Sequence, residues 1–311
     1  MEVVISSVLT IVGLVMLCFG GNWLVNGGVA IAQKFRISNL IIGMTIVAYG
    51  TSTPELAASI VAAGEHSSII LGNIIGSNIA NVGMVIGIAA ILVPLAVKKS
   101  VLRKEIPIML GVSAFLVILS IDGELSQFDG LFLLIGLGVF AIYTFKDAMK
   151  QRDDGDVGTV SSKGNVVLKS LGLIGIGIVL LYVGAILTVE NAVILAKEFG
   201  LSEKIIGLTV IAIGTSLPEL ITSVIAIRKG HSEIGIGNII GSNIYNILMI
   251  MGVGAALGGV AIASDVYVDY AIMILFSMSI LIALKTRLIS RTMGICLSLG
   301  YAAYLVTAFF K

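Results

Sequence analysis

The sequence predicts an all-α integral membrane protein: ten transmembrane helices as two inverted five-helix repeats, with interrupted helices at the midplane. Three observations lead there: scarce charge, the number of long apolar runs, and a pair of motifs that occurs twice. Of the 311 residues, 58% are hydrophobic and 12% charged, against about 25% charged in an ordinary soluble domain. A mean hydropathy of +1.11 leaves too little polar surface to coat a water-soluble globule. That excludes a soluble enzyme. A net charge of +1, 6% aromatic residues and no basic run leave no footprint for nucleic acid. Cys18 and Cys296, near opposite chain ends, form neither a metal spacing nor a disulfide framework, and are expected as buried thiols.

A helix needs about 20 predominantly apolar residues to cross the hydrocarbon core. Ten candidates follow in order: 4–31, 39–63, 68–95, 106–121, 129–146, 168–196, 204–227, 234–262, 267–284 and 292–310. The first has no basic flank and no small-residue cleavage site, so it is expected to be a helix rather than a signal peptide. The alternating pattern of a transmembrane barrel is missing. With the N-terminus outside, 16 of the 19 basic residues fall in inside loops, and only Lys197, Lys204 and Lys311 fall outside. Cytoplasmic loops are enriched in Lys and Arg. The expectation is a multi-pass plasma-membrane protein with both termini extracellular.

Residues 43–56 read GMTIVAYGTSTPEL and residues 207–220 read GLTVIAIGTSLPEL, an offset of 164. Residues 72–79 and 237–244 both read GNIIGSNI, an offset of 165. Each half holds five expected spans, and an odd number turns the second half over relative to the first. This is the inverted-repeat plan of many secondary transporters, whose sites lie at the midplane on discontinuous helices. The first repeat covers 1–146, a short polar cytoplasmic linker 147–167, and the second repeat 168–311.

At the centre of each first motif stands Gly-Thr-Ser-x-Pro-Glu. Pro54 and Pro218 have no N–H to donate, and their rings oppose the carbonyls of Gly50 and Gly214. Within a bilayer, freed backbone groups are tolerated only facing protein or a wet cavity. Ser52-x-x-Glu55 and Ser216-x-x-Glu219 also fit a capping box that restarts the helix. Capping does not explain a carboxylate at mid-span, where an ionisable group is costly and marks function by default. No Lys or Arg lies at mid-span to pair with Glu55 or Glu219. The counter-charge must then be a proton or a metal cation. Glu190 lies nearer a span end, and a structural or interfacial role is expected for it.

The second motif allows close helix packing through Gly72, Gly76, Gly237 and Gly241. It also supplies oxygens: Ser77 and Asn81 stand one helical turn apart, as do Ser242 and Asn246. With Thr51, Ser52, Thr215 and Ser216, these residues and the two glutamates make an all-oxygen set without Cys or His. Such a set suits hard cations; Ca²⁺ takes about 6–8 oxygen ligands.

At these motifs the chain resembles the Ca²⁺/cation antiporter superfamily, in its Na⁺/Ca²⁺ exchanger branch and compact prokaryotic form. The paired GTSxPE and GNxxGSN runs carry the resemblance, which covers nearly the whole chain. The H⁺/Ca²⁺ exchangers instead carry a GNxxE-type run at the first motif. The resemblance implies ion ligands at Glu55, Thr51, Ser52, Ser77 and Asn81, and at Glu219, Thr215, Ser216, Ser242 and Asn246. It adds the main-chain carbonyls of Ala48 and Ala212. Members with a more acidic site, including the K⁺-dependent branch, have Asp where this chain has Asn246, which argues against a K⁺ requirement. The large Ca²⁺-sensing loop of animal members is missing.

The function expected is antiport of Na⁺ against Ca²⁺ by alternating access at one midplane site, with both ions bound as substrates and no cofactor. The partners expected are these ions and the bilayer, with no protein partner. H⁺/Ca²⁺ or other divalent antiport on the same scaffold is the alternative, since buried glutamates titrate. Two carboxylates make a poor acidic ring for a channel. An enzyme is not expected: no His or Lys base lies near Glu55, and His66 and His231 sit at loop ends.

Overall fold

The structure is a computed structural model that describes residues 2–62, 67–153, 165–200 and 212–310. His66, Lys163, Lys204, Lys311, the linker stretch 154–164 and the 207–211 start of the second GTSxPE motif lie outside the described residues. Among the described residues the chain is helical apart from four two-residue strands. In order, the elements of the first half are α1 (Glu2–Phe35), α2 (Asn39–Thr51), α3 (Thr53–Ala62), α4 (67–92), β1 (Leu95–Ala96), α5 (101–119), β2 (Glu124–Leu125) and α6 (Gln127–Asp153). The second half has α7 (Val166–Glu198), α8 (Ala212–Thr215), α9 (Leu217–Arg228), α10 (Ser232–Gly258), β3 (Val260–Ala261), α11 (Val266–Leu284), β4 (Leu288–Ile289) and α12 (Arg291–Phe310).

Among the described residues six helices are long and apolar enough to cross a membrane: Val3–Phe35, Ile70–Leu92, Gln127–Lys150, Val166–Glu198, Ser232–Gly258 and Val266–Leu284. The expected span 39–63 is split at Ser52, and 204–227 is interrupted at Ser216. The span expected at 106–121 begins five residues earlier, in the π-helical turn Val101–Glu105. The outer surface is apolar, with Val4, Ile11 and Phe19 on α1 and Phe132, Ile135 and Val139 on α6 all exposed. Cys18 and Cys296 share that surface and are exposed, not buried as expected. Their apolar neighbours in sequence reflect a lipid-facing surface as much as a core, and hydropathy cannot separate the two.

The helix ends have local causes. Arg36 takes a left-handed φ of 56° after α1, and Ile37 N–H closes on the Ala32 carbonyl at 2.9 Å. Gly200 ends α7 with a φ of 76°. Ser38 caps α2 by accepting from Ile41 N–H at 3.3 Å. The strands tie distant loops together, β1 antiparallel to β4 and β2 antiparallel to β3.

Helices α1 and α7, of 34 and 33 residues, would each extend about 50 Å at 1.5 Å per residue. A bilayer core is about 30 Å thick, so the pair must tilt or project beyond it. They meet backbone to backbone through glycines one face apart. A Cβ on Gly20 would stand 2.8 Å from the Gly177 carbonyl, and one on Gly184 would stand 2.9 Å from the Gly13 carbonyl. Small residues permit this approach, and van der Waals contact drives helix association in lipid. Leu17, Leu24, Ile174 and Leu181 are buried around the seam. A larger core, built on Ile74, Ile79, Val85, Ile239 and Ile244, holds α4 and α10.

The seam can be tested by substitution. Leu at Gly177 places a Cβ 2.9 Å from the Gly20 carbonyl and the Leu24 amide. The Gly177→Leu protein is expected to melt several degrees lower in detergent. Gly138→Leu, on an exposed face with open space at its Cβ, is expected to leave the midpoint unchanged.

Candidate ion-binding site

The two interrupted helices bring their breaks to the same buried region. Ser52 (φ −85°, ψ 5°) separates α2 from α3, and Ser216 (φ −92°, ψ 5°) separates α8 from α9. Each break stands two residues before the proline, whose absent N–H and bulky ring prevent continuous helix. The first turns of α3 and α9 then carry Glu55 and Glu219 inward, 2% and 1% exposed. The capping-box expectation is not met at Ser216, whose side chain makes no cap hydrogen bond. Ser52 Oγ reaches across to the other half and donates to Glu219 Oε1 at 3.3 Å.

Helix α10 closes on α2 with almost no side chain between them. A Cβ on Gly43 would stand 2.5 Å from the Ile234 carbonyl, and Cβ atoms on Gly237 and Gly241 2.5 Å from the carbonyls of Leu40 and Met44. This approach sets Asn238 and Ser242 against Thr51. Thr51 Oγ1 donates to Asn238 Oδ1 at 3.0 Å and lies 3.4 Å from Ser242 Oγ. Asn238 Nδ2 in turn donates to Ser223 Oγ at 2.9 Å. The Ala48 carbonyl accepts from Ser52 N–H at 3.0 Å and lies 3.2 Å from Thr51 Oγ1.

Helices α4 and α10 each turn π-helical at an asparagine, over Asn81–Ile86 and Asn246–Met251. Single π turns are rare and recur at functional sites. Asn81 and Asn246 are both buried, as are Ser77 and Ser242. Asn81 Nδ2 donates to Asn243 Oδ1 and Asn246 Nδ2 to Asn78 Oδ1, each at 3.0 Å.

Buried polar atoms are normally hydrogen-bonded, so those left over ask for an explanation. Among the described residues eleven buried side-chain oxygens lack a partner: both of Glu55, Oε2 of Glu219, Oγ of Ser77 and Ser216, Oδ1 of Asn81 and Asn246, and four more on Ser59, Glu105, Thr222 and Ser298. The first seven belong to residues expected from the sequence as cation ligands; the other four do not. An apolar interior does not tolerate bare carboxylate oxygens, and neither glutamate forms an ion pair among the described residues. The chemistry of this donor set, all oxygen with two formal negative charges, suits a hard cation.

Of the twelve expected positions, Thr51, Ser52, Glu55, Ser77, Asn81, Ser216, Glu219, Ser242 and Asn246 are buried polar residues on the interrupted helices or on α4 and α10. Thr215 is half-buried at the end of α8. Ala48 is buried, and Ala212 begins α8. Glu190 is exposed on α7. Its counterpart in the first half, Asn26, accepts from Lys229 Nζ at 2.6 Å, and so does Asn22, joining α1 to the end of α9. His231 precedes α10 in a polar cleft of about 540 Å³ with Lys98, Glu233 and Arg287. Burial and the nearby Lys229 ammonium hold it below the usual imidazole range.

Sequence reasoning passed over Asn78, Asn243, Asn238 and Ser223. The signal was present: Asn78 lies three residues before Asn81, and Ser223 one turn after Glu219, spacings that share a helix face. It also passed over Glu105, 3% exposed and accepting from Tyr143 Oη at 3.1 Å. Glu105 falls one residue outside the expected span 106–121, and the π turn that lengthens α5 carries it inside.

Known proteins are similar to this chain along nearly its whole length. The family model described as "Sodium/calcium exchanger protein" matches residues 5–146 and 169–310. The inner membrane protein YrbG of Escherichia coli is 35% identical over 97% of this chain and 96% of its own. The sodium/calcium exchanger MaX1 of Methanosarcina acetivorans is 32% identical over 99% of both chains. A solved structure of the sodium-calcium exchanger NCX_Mj superposes with a TM-score of 0.85 at 33% identity, covering 98% of this chain and 99% of that one. With both halves matched by the family model and the whole chain matched in sequence and fold, this protein is a membrane transporter of the sodium/calcium exchanger family.

Proposed function

We propose that the protein exchanges Na⁺ for Ca²⁺ by alternating access at one midplane site. Its ligands are the side chains of Thr51, Ser52, Glu55, Ser77, Asn81, Thr215, Ser216, Glu219, Ser242 and Asn246 and the carbonyls of Ala48 and Ala212. One observation carries this reading: seven buried oxygens without hydrogen-bond partners fall on these residues, from both halves of the chain. Two carboxylates neutralise one Ca²⁺, and Na⁺ ions compete for the same oxygens. A half-filled site leaves a bare carboxylate in a medium of low dielectric, which opposes the switch between faces and couples the two fluxes.

The proposed frame is ten helices in two inverted repeats, 1–146 and 168–311, joined by the linker 147–167. Its support is reciprocity. An offset of 164–165 residues carries β1 onto β3 and β2 onto β4, and the observed pairs are β1 with β4 and β2 with β3. The same offset carries the π turn at Asn81 onto that at Asn246. Both termini are then extracellular in the plasma membrane, an orientation that the 16-to-3 distribution of Lys and Arg favours. The glycine seam between α1 and α7 suits a pair that slides as a unit against the remaining helices.

Purified protein in Na⁺-loaded liposomes is expected to take up Ca²⁺ when external Na⁺ is removed, with or without K⁺. Uptake driven by a pH jump and indifferent to Na⁺ would establish the H⁺/Ca²⁺ alternative instead. Glu55→Gln and Glu219→Gln are each expected to abolish uptake, with a loss of at least about 100-fold for a removed charged ligand. Full activity in either variant removes that residue from the site.

A further inference from the structure

The amide orientations at the heart of the site are dictated by two main-chain carbonyls. Asn78 Nδ2 donates to the Asn243 carbonyl at 3.2 Å, and Asn243 Nδ2 donates to the Asn78 carbonyl at 3.4 Å. A carbonyl can only accept, so each contact identifies the nitrogen end of its amide. The methionine sulfurs agree, since both are acceptors: Asn78 Nδ2 lies 3.6 Å from Met273 Sδ, and Asn243 Nδ2 lies 3.6 Å from Met109 Sδ. The Oδ1 atoms of Asn78 and Asn243 must then point the other way. There each meets a second amide, Asn246 Nδ2 and Asn81 Nδ2 respectively, at 3.0 Å. What remains of Asn81 and Asn246 is Oδ1, buried and unpartnered. All four residues are 0–1% exposed.

We infer that Asn78 and Asn243 are positioning residues that set the site's selectivity for cations, by locking Asn81 and Asn246 with oxygen rather than N–H₂ toward the ion. The inference rests on the cation-binding reading of the site. Asn78 and Asn243 touch no ion in this scheme; they act through their neighbours. A freed Asn81 or Asn246 amide can turn over and offer donors, which repel a cation. The relay also accounts for an amide rather than a carboxylate at 246. An Asp there would set an oxygen against Asn78 Oδ1, with no proton between them.

The test is a sign reversal. Equilibrium binding of ⁴⁵Ca²⁺ is measured on the full-length protein in detergent, with melting in the absence of Ca²⁺ as a control for folding. Asn243→Ala is expected to weaken Ca²⁺ binding about 10–100-fold, the usual cost of losing a group that orients a ligand. Asn81→Asp alone also weakens binding, because its carboxylate faces Asn243 Oδ1. The double variant Asn81→Asp/Asn243→Ala is expected to bind more tightly than either single one, since Asp presents oxygen whichever way it turns. The Asn78→Ala and Asn246→Asp cycle should behave the same way. Asn243→Ser, too short to reach Asn81, replaces Asn243→Ala if that variant does not purify. Additive losses, or single variants that bind like wild type, overturn the positioning role and leave the exchange reading intact. A wild type that binds no Ca²⁺ at any Na⁺ concentration overturns the reading of the site itself, and the positioning role with it.

Discussion

Two buried carboxylates without a basic partner are the constraint on which the rest of the structure depends. Glu55 and Glu219 sit deep in an apolar chain, where an unpaired charge is tolerated only if something else neutralises it. Everything around them supplies oxygen or makes room for it. The proline-broken helices carry the glutamates inward at Ser52 and Ser216. Helix α10 approaches α2 through Gly237 and Gly241, closely enough for Asn238 and Ser242 to reach Thr51. The π turns at Asn81 and Asn246 carry two amides into the same region. A fold built only for stability would fill this volume with leucine.

The site is not symmetric in its hydrogen bonding, although its parts recur in both halves. Glu219 receives a hydrogen bond from Ser52, whereas both oxygens of Glu55 and the hydroxyl of Ser216 stay unpartnered among the described residues. Thr51 is fully buried and Thr215 half-buried.

Much of this was legible in the sequence because membrane chemistry leaves few choices. Charge inside a bilayer is rare enough that Glu55 and Glu219 stood out without any structure. The repeated motifs then marked the hydroxyl and amide residues beside them. What stayed hidden depended on geometry that spacing alone does not carry. Asn78 and Asn243 sit inside the motif, but their role depends on a carbonyl in the opposite half. Glu105 falls outside the expected span 106–121 because the charged run Arg103-Lys104-Glu105 sets the hydropathy boundary at Ile106, and a π turn extends the helix past it. Cys18 and Cys296 were expected inside because an apolar environment reads alike for core and lipid. The family match fixes the membrane transport class; which ion drives Ca²⁺ rests on the site itself.

The central claim is that Glu55 and Glu219 share one cation. Crystals soaked in Sr²⁺, a heavier stand-in for Ca²⁺, test it directly through anomalous diffraction. The account requires a strong peak between the two carboxylates, within about 2.3–2.7 Å of their oxygens, the range of large alkaline-earth cations, and weaker when Na⁺ is raised. A peak elsewhere, or none at saturating Sr²⁺ with both carboxylates hydrogen-bonded to protein, would contradict it.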